Sequence, residues 1–223
     1  GNNEVPMNYQ SNYYPFVQDS SFLYYCGLDY PNLNLIINTY ENSATLYGTS
    51  QSINDIIWCG QSKTLNELAK YAHIDHISNH NDFQEDVERI LSQGEVVHIL
   101  PQYRYHNKQI LSEIFGGEKW KNYISADLIK SVISQRSVKS ELEIGEIKDA
   151  MVVTKSMHEM AMMNTKPGKT EQEIVVELVS LVHSKGIRLA YPSIFTVRGE
   201  ILHNQSYGST LQDGQLLLHD GGA

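Results

Sequence analysis

Two residues in the C-terminal part of the sequence have types that could do chemistry together. In Asp213-Gly214-Gln215-Leu216-Leu217-Leu218-His219-Asp220-Gly221-Gly222-Ala223, a turn leads into an apolar strand that ends on a carboxylate. Small residues follow and let backbone come close to whatever the carboxylate holds. A buried strand ending in Asp is costly unless the charge is paired or bound to a metal, which makes Asp220 a candidate metal ligand. Upstream stands His203, after the apolar pair Ile201-Leu202 and separated from Asp213-Gly214 by a polar, Gly-containing stretch. Two antiparallel strands joined by such a loop would bring His203 and Asp220 into one pocket. Read singly, His203 would be a structural imidazole and Asp220-Gly221 a turn; the three preceding leucines and the spacing of the pair favour the site. Strand alternation turns His219 to the opposite face from Asp220.

The elements that must position this pair are legible upstream. Ser140 and Glu143 form an S-x-x-E capping box, and Thr170-Glu171-Gln172-Glu173 forms another. Between them Ile144, Ile147, Met151, Met157, Met160 and Ala161 keep a helical stripe until Lys166-Pro167-Gly168 stops it. The second box opens a helix with Ile174, Leu178, Leu181 and Val182 inward, and Gly186 sits where a left-handed cap belongs. Helices over 141–164 and 171–185 are therefore expected to pack on strands containing Tyr191–Val197 and Leu216–Asp220. The methionines at 157, 160, 162 and 163 read as packing residues.

Towards the N-terminus, short apolar runs alternate with polar helical stretches, which points to the α/β class. Leu33–Ile37 and Ala44–Tyr47 read as a hairpin turning through Glu41-Asn42-Ser43, and Thr64–Tyr71 as a helix with Leu65, Leu68 and Ala69 on one side. Asp82-Phe83-Gln84-Glu85 looks like a capping box opening a helix that Gly94 closes, and Glu95–Leu100 reads as a buried strand ended by Pro101. Ser125–Arg136 reads as a linking helix with Leu128, Ile129, Val132 and Ile133 inward, so a domain boundary is expected near Ser137. His73, His76 and His80 lie in a broken polar segment and read as solvated surface rather than a zinc site.

LHNQSYGSTLQDGQLLLHDGGA resembles the start of the catalytic domain of the Xaa-Pro aminopeptidase, prolidase and creatinase family, the M24-type pita-bread metallopeptidases. RSVKSELEI at Arg136–Ile144 resembles the junction of that family, KPGKTEQEI its most legible helix signature, and QDSSFLYYCGLDYPNLNLII and IIWCG landmarks of its N-terminal domain. The resemblance implies a creatinase-type N-terminal α/β domain over 1–136, followed over 137–223 by the first, incomplete part of a pita-bread α+β catalytic domain. It implies that Asp220 is the first of five ligands to two divalent ions, Mn²⁺ foremost with Co²⁺ or Zn²⁺ as alternatives. His203 would line the substrate side. The remaining ligands of family members lie beyond Ala223, so this chain alone is expected to be inactive and not to bind both ions fully. A metal-bridging hydroxide would attack the carbonyl of a peptide with an N-terminal Xaa-Pro bond, in a cytoplasmic homodimer. A non-catalytic peptide-binding module and a creatinase-type C–N hydrolase are the alternatives. Gly199-Glu200-Ile201-Leu202-His203 is shorter than the family segment, Tyr207 stands where relatives often have Asn, and Gly221 replaces the usual Ala.

The composition agrees with an ordinary globular protein of 223 residues, 41% hydrophobic and 19% charged, with no apolar run of membrane-spanning length. A formal charge of −9 without a basic stripe disfavours nucleic acid as a partner. The two cysteines, Cys26 and Cys59, sit in apolar settings and read as reduced core thiols. No P-loop, GxGxxG, GxSxG or CxxC arrangement occurs.

Overall fold

The computed structural model describes all residues from Gly1 to Ala223, and they divide into units Gly1–Arg136 and Ser137–Ala223. In the first unit, strands β1 (Pro6–Tyr9) and β2 (Asn12–Tyr13) form a small hairpin. Helix α1 (Ser20–Cys26) starts where the Asp19 carboxylate accepts from the Ser21 and Phe22 amides, and it ends at Gly27, whose φ of 65° suits a residue without Cβ. Strands β3 (Asn34–Asn38) and β4 (Ser43–Gly48) make the expected hairpin, with Asn34 opposite Tyr47 and Asn38 opposite Ser43. Helices α2 (Ile53–Cys59) and α3 (Leu65–Tyr71) follow, each with a capping box, and β5 (His76–Asn79) then pairs parallel to β4. The order β3-β4-β5 is thus a small mixed sheet, and Phe22, Cys26, Leu28, Leu33, Leu46, Leu68 and Ala69 form the core beside it. The unit continues with α4 (Asp82–Ser92), α5 (Tyr105–Phe115), a 3₁₀ turn at Gly117–Tyr123 and α6 (Ala126–Ser137).

Four readings of this region need correction. Asp82 does not cap: it is the first residue of α4, and its carboxylate accepts from the Ser78 hydroxyl and the Asn79 amide, so it bonds backward into β5. Glu95–Leu100 is no strand. Its only ladder contact is an isolated parallel bridge from Ile99 to Ile124, and Val96 is exposed, because no strand lies beside it to pair. Ile56–Cys59 of IIWCG lie in α2 and Gly60 follows it; the helix buries none of its residues and leaves Trp58 80% exposed, so the setting of Cys59 is not a core. Cys59 on that helix is an exposed free thiol, whereas Cys26 is a buried one. The segment of the three histidines is not broken throughout, since His73 turns with φ 53°, His76 opens β5 and His80 follows it, but His73 and His76 are exposed as expected.

The second unit is simpler. The Ser140–Glu143 box opens α7 (Glu141–Asn164), and the Thr170–Glu173 box opens α8 (Glu171–Ser184). Gly168 turns with φ 90° between them, and Gly186 has φ 72° after α8. Strands β6 (Ile194–Thr196) and β7 (Leu218–Asp220) pair antiparallel, with Phe195 opposite His219. Met157, Ala161, Ile174, Val175, Leu178, Val182, Phe195 and Leu211 form one core between the helices and this ribbon. Only the half of α7 after about Val153 joins that core. Ile147, Met151, Met162 and Met163 are exposed, so the first part of the apolar stripe of α7 and three of its five methionines are not accounted for by packing within the unit.

Candidate functional site

The site is built at the start of α8. The amides of its first two residues lack intrahelical partners, as at any helix start, and the chain after β6 supplies them. The Glu171 amide donates to the Ser209 carbonyl and the Gln172 amide to the Tyr207 carbonyl, both at 3.0 Å. Thr170 pairs with Thr210 in an isolated bridge, and the Gly168 amide reaches the Leu211 carbonyl while Leu211 donates back to Lys169. A segment from Val197 to Ser209 is therefore strapped across the N-terminus of α8. Inside it the buried Thr196 hydroxyl oxygen accepts from the Arg198 amide at 2.9 Å and from Asn204 Nδ2 at 3.0 Å. The Tyr207 hydroxyl donates to the Ser193 carbonyl, and burial raises its pKa above the usual tyrosine value.

His203 stands on this strap, exposed, in consecutive turns closed by Ile201 on Arg198 and Asn204 on Ile201. The segment is not a strand, and Ile201 and Leu202 are exposed rather than core. A two-strand arrangement carrying His203 and Asp220 is therefore corrected. Chain with two consecutive short-range turns cannot hold a ladder, and the partner of β7 is β6.

Asp220 ends β7, opposite Ile194. Its side chain is exposed and accepts a short hydrogen bond from the Tyr191 hydroxyl, which raises the tyrosine pKa. No basic group pairs with it, and no hydrogen bond or ion pair joins it to His203. The strand leading to it is less buried than its leucines suggest: Leu216 is 91% exposed and Leu218 42%, and only Leu217 packs on the core. The ribbon has a single inner face, occupied here by Leu217 and His219, so alternate residues face outward. His219 does point away from Asp220, as expected. It packs against Phe195 and His158, with ring centroids 5.4 Å and 4.4 Å away. Neither of its ring nitrogens has a hydrogen-bond partner. Burial, helped by His158 and opposed by Asp220, pushes its pKa down to about 4.

Gly221 follows, and a Cβ there would lie 2.9 Å from Ser193 Oγ and 3.0 Å from His219 Nε2. Glycine thus admits two polar groups that alanine would press upon.

Glu171 escaped notice in the sequence. It is fully buried, one carboxylate oxygen accepting from the Val197 amide at 2.8 Å and the other from the Ser209 amide at 3.1 Å. A signal existed: position 171 lies one turn before Ile174 and Val175 and two before Leu178, on the apolar face of α8. Tyr191, the partner of Asp220, had no such signal.

The model of the family "Aminopeptidase P, N-terminal domain" matches residues 1–99, and that of "Metallopeptidase family M24" matches residues 145–223, the part holding α8, the strap and Asp220. Both matches, with the relatives that follow, support the M24 Xaa-Pro aminopeptidase family. The Xaa-Pro aminopeptidase of Escherichia coli K12 is 25% identical to this chain over 224 residues, 94% of this chain and 50% of that protein. A probable Xaa-Pro aminopeptidase of Chaetomium globosum is 24% identical over 93% of this chain and 35% of its own length. The chain spans about half the length, or less, of these relatives. The solved proline aminopeptidase P II of Yersinia pestis aligns with TM-score 0.80 at 24% identity, covering 98% of this chain and 53% of that one. Zinc-substituted E. coli aminopeptidase P in complex with product gives TM-score 0.80 at 22% identity, over 98% and 53%. The fold is that of the N-terminal domain of aminopeptidase P together with part of its M24 domain. Within residues 1–223 no group of three or more His, Cys, Asp or Glu side chains is placed to hold a metal ion. The end of β7 offers a single carboxylate, which does not by itself make a metal centre.

Proposed function

We propose that the complete protein is a dinuclear, metal-dependent Xaa-Pro aminopeptidase, that Asp220 is one of its metal ligands, and that His203 acts on the substrate side. The observation that carries the reading is the state of Asp220. It is an exposed carboxylate at a strand end, met by one tyrosine hydroxyl and by no cation, in a chain matched by both family domains. A carboxylate left this way keeps lone pairs for a hard divalent ion, Mn²⁺ before Co²⁺ or Zn²⁺. Ions held there would supply Lewis acidity and an activated water. Residues 1–136 then serve as the aminopeptidase P-like N-terminal domain, and 137–223 as the opening part of the catalytic one. The substrate is a peptide with an N-terminal Xaa-Pro bond, the assembly a homodimer, and the compartment cytoplasmic, in keeping with two free cysteines. Nucleic acid is not a partner on the charge of −9. No helix is long and apolar enough to cross a membrane. The 223-residue chain by itself turns over no Xaa-Pro peptide, because one carboxylate cannot retain two hydrated ions.

The test is metal analysis and Xaa-Pro peptide kinetics on the complete protein carrying Asp220→Ala or His203→Ala. The first variant should lose bound metal and at least about 100-fold in rate, more than loss of a group that merely orients a ligand. The second should keep its metal and turn over slowly. An Asp220→Ala protein with full metal content and full rate would remove the peptidase reading and leave a peptide-binding module in its place.

A further inference from the structure

We infer that Glu171 is a positioning residue of the substrate side: its buried carboxylate ties together both ends of the strap Val197–Ser209 and thereby fixes where His203 stands. This rests on the reading of His203 as a substrate-side group. Glu171 is fully buried on the inner face of α8, one turn before Ile174, which is also fully buried, so the carboxylate is mounted on a rigid element. Its oxygens accept from Val197 at 2.8 Å and from Ser209 at 3.1 Å, and its own amide donates to the Ser209 carbonyl at 3.0 Å. No lysine, arginine or histidine pairs with it. A buried carboxylate whose partners are all backbone amides of one segment is doing for that segment what a disulfide does for a loop: closing it at fixed ends. From Val197 the tie runs on through Thr196, whose hydroxyl oxygen holds Arg198 and Asn204, to the neighbour of His203. Asn204 in turn accepts from the Ser206 amide at 3.0 Å, so the residues on both sides of the turn bearing His203 are fixed.

Glu171→Gln preserves volume but replaces one acceptor oxygen with an NH₂ group, which faces an amide donor and cannot bond it. In the complete protein this variant should keep its metal content and show faster hydrogen exchange at the Val197 and Ser209 amides. Its turnover of an Xaa-Pro peptide should fall about tenfold to 100-fold, the cost of displacing a reacting group by a fraction of an ångström to an ångström. If Glu171 acts through His203, Glu171→Gln should slow the His203→Ala protein no further, because the group it positions is already gone. Equal slowing in both backgrounds, or no slowing where His203→Ala alone is slow, overturns the inference and leaves the reading of His203 standing. An unchanged rate on His203→Ala alone overturns that reading and the inference with it. Should the Gln variant fold poorly, Glu171→Asp, whose carboxylate is one methylene short of spanning both amides, must show the same non-additive pattern.

Discussion

Glu171 and Asp220 are carboxylates of the same unit, one at the start of α8 and the other at the end of β7, and the fold treats them in opposite ways. Glu171 is fully buried, and both of its oxygens are taken by backbone amides. Asp220 is exposed, with one tyrosine hydroxyl and no cation. A carboxylate whose lone pairs are consumed by the chain is committed to holding that chain in place. One left at a strand end beside two glycines keeps its capacity for a ligand from outside. The difference separates a residue that shapes a site from one that would take part in it, and it can be tested by asking what each contributes to folding.

The largest effect is expected from Glu171→Leu. Leucine has comparable bulk and suits the apolar face of α8, but it leaves the Val197 and Ser209 amides buried without acceptors. Each should cost about 1–3 kcal/mol, so the unit should lose about 2–6 kcal/mol, read as faster hydrogen exchange of the α8 core amides. A loss below about 1 kcal/mol would mean that the two amides find water or other acceptors, and Glu171 would then resemble Asp220 more than it differs from it.

An intermediate effect is expected at Gly221, the residue that gives the Asp220 strand end its room. Alanine there would meet Ser193 Oγ and His219 Nε2 at 2.9 and 3.0 Å, and overpacking of this kind costs about 1–3 kcal/mol. Ser193→Ala removes one of the two obstacles. The double variant should therefore be more stable than the two single losses added together, a coupling measured by a denaturation cycle. Strict additivity would show that the strand end shifts as a whole and that glycine is not needed for the geometry beside Asp220.

Much of this architecture was legible because local chemistry and tertiary packing agree. The Ser140–Glu143 and Thr170–Glu173 boxes are formed as spaced, and α7 and α8 begin where the boxes place them. The β3–β4 hairpin likewise follows from two apolar runs and a short turn. The misreadings fall where an apolar pattern exists but no neighbour within the unit covers it. Leu216, Leu218, Ile147 and Met151 are apolar and exposed, and Val96 belongs to a run that finds no strand to join. Periodicity reports which residues could be buried, while burial needs a second surface that the pattern does not contain. The candidate site residues are singled out on another ground: Asp220 and His203 are chosen by type and place, without knowing what surrounds them. Their surroundings were not legible. The strap, Tyr191 and Glu171 depend on contacts between segments far apart in sequence, and only the position of Glu171 on an apolar helix face gave any warning.

The smallest effect, and the one that bears most directly on the comparison, is the stability of this chain with Asp220→Ala. The Asp220 carboxylate lies in solvent, its single hydrogen bond comes from an exposed tyrosine that water can serve equally well, and the strand pairing that surrounds it is made by backbone. Its removal should therefore change the stability of the unit by less than about 0.5 kcal/mol in either direction, as for a surface site without a structural task. The same substitution in the complete protein is expected to remove the metal and the activity. A residue that is nearly silent in folding and decisive in function is what a ligand held ready by the fold should be. If Asp220→Ala instead lowers the stability of the 223-residue chain by about 2 kcal/mol or more, its bond to Tyr191 is structural, the contrast with Glu171 disappears, and loss of activity in the complete protein would no longer identify Asp220 as a metal ligand.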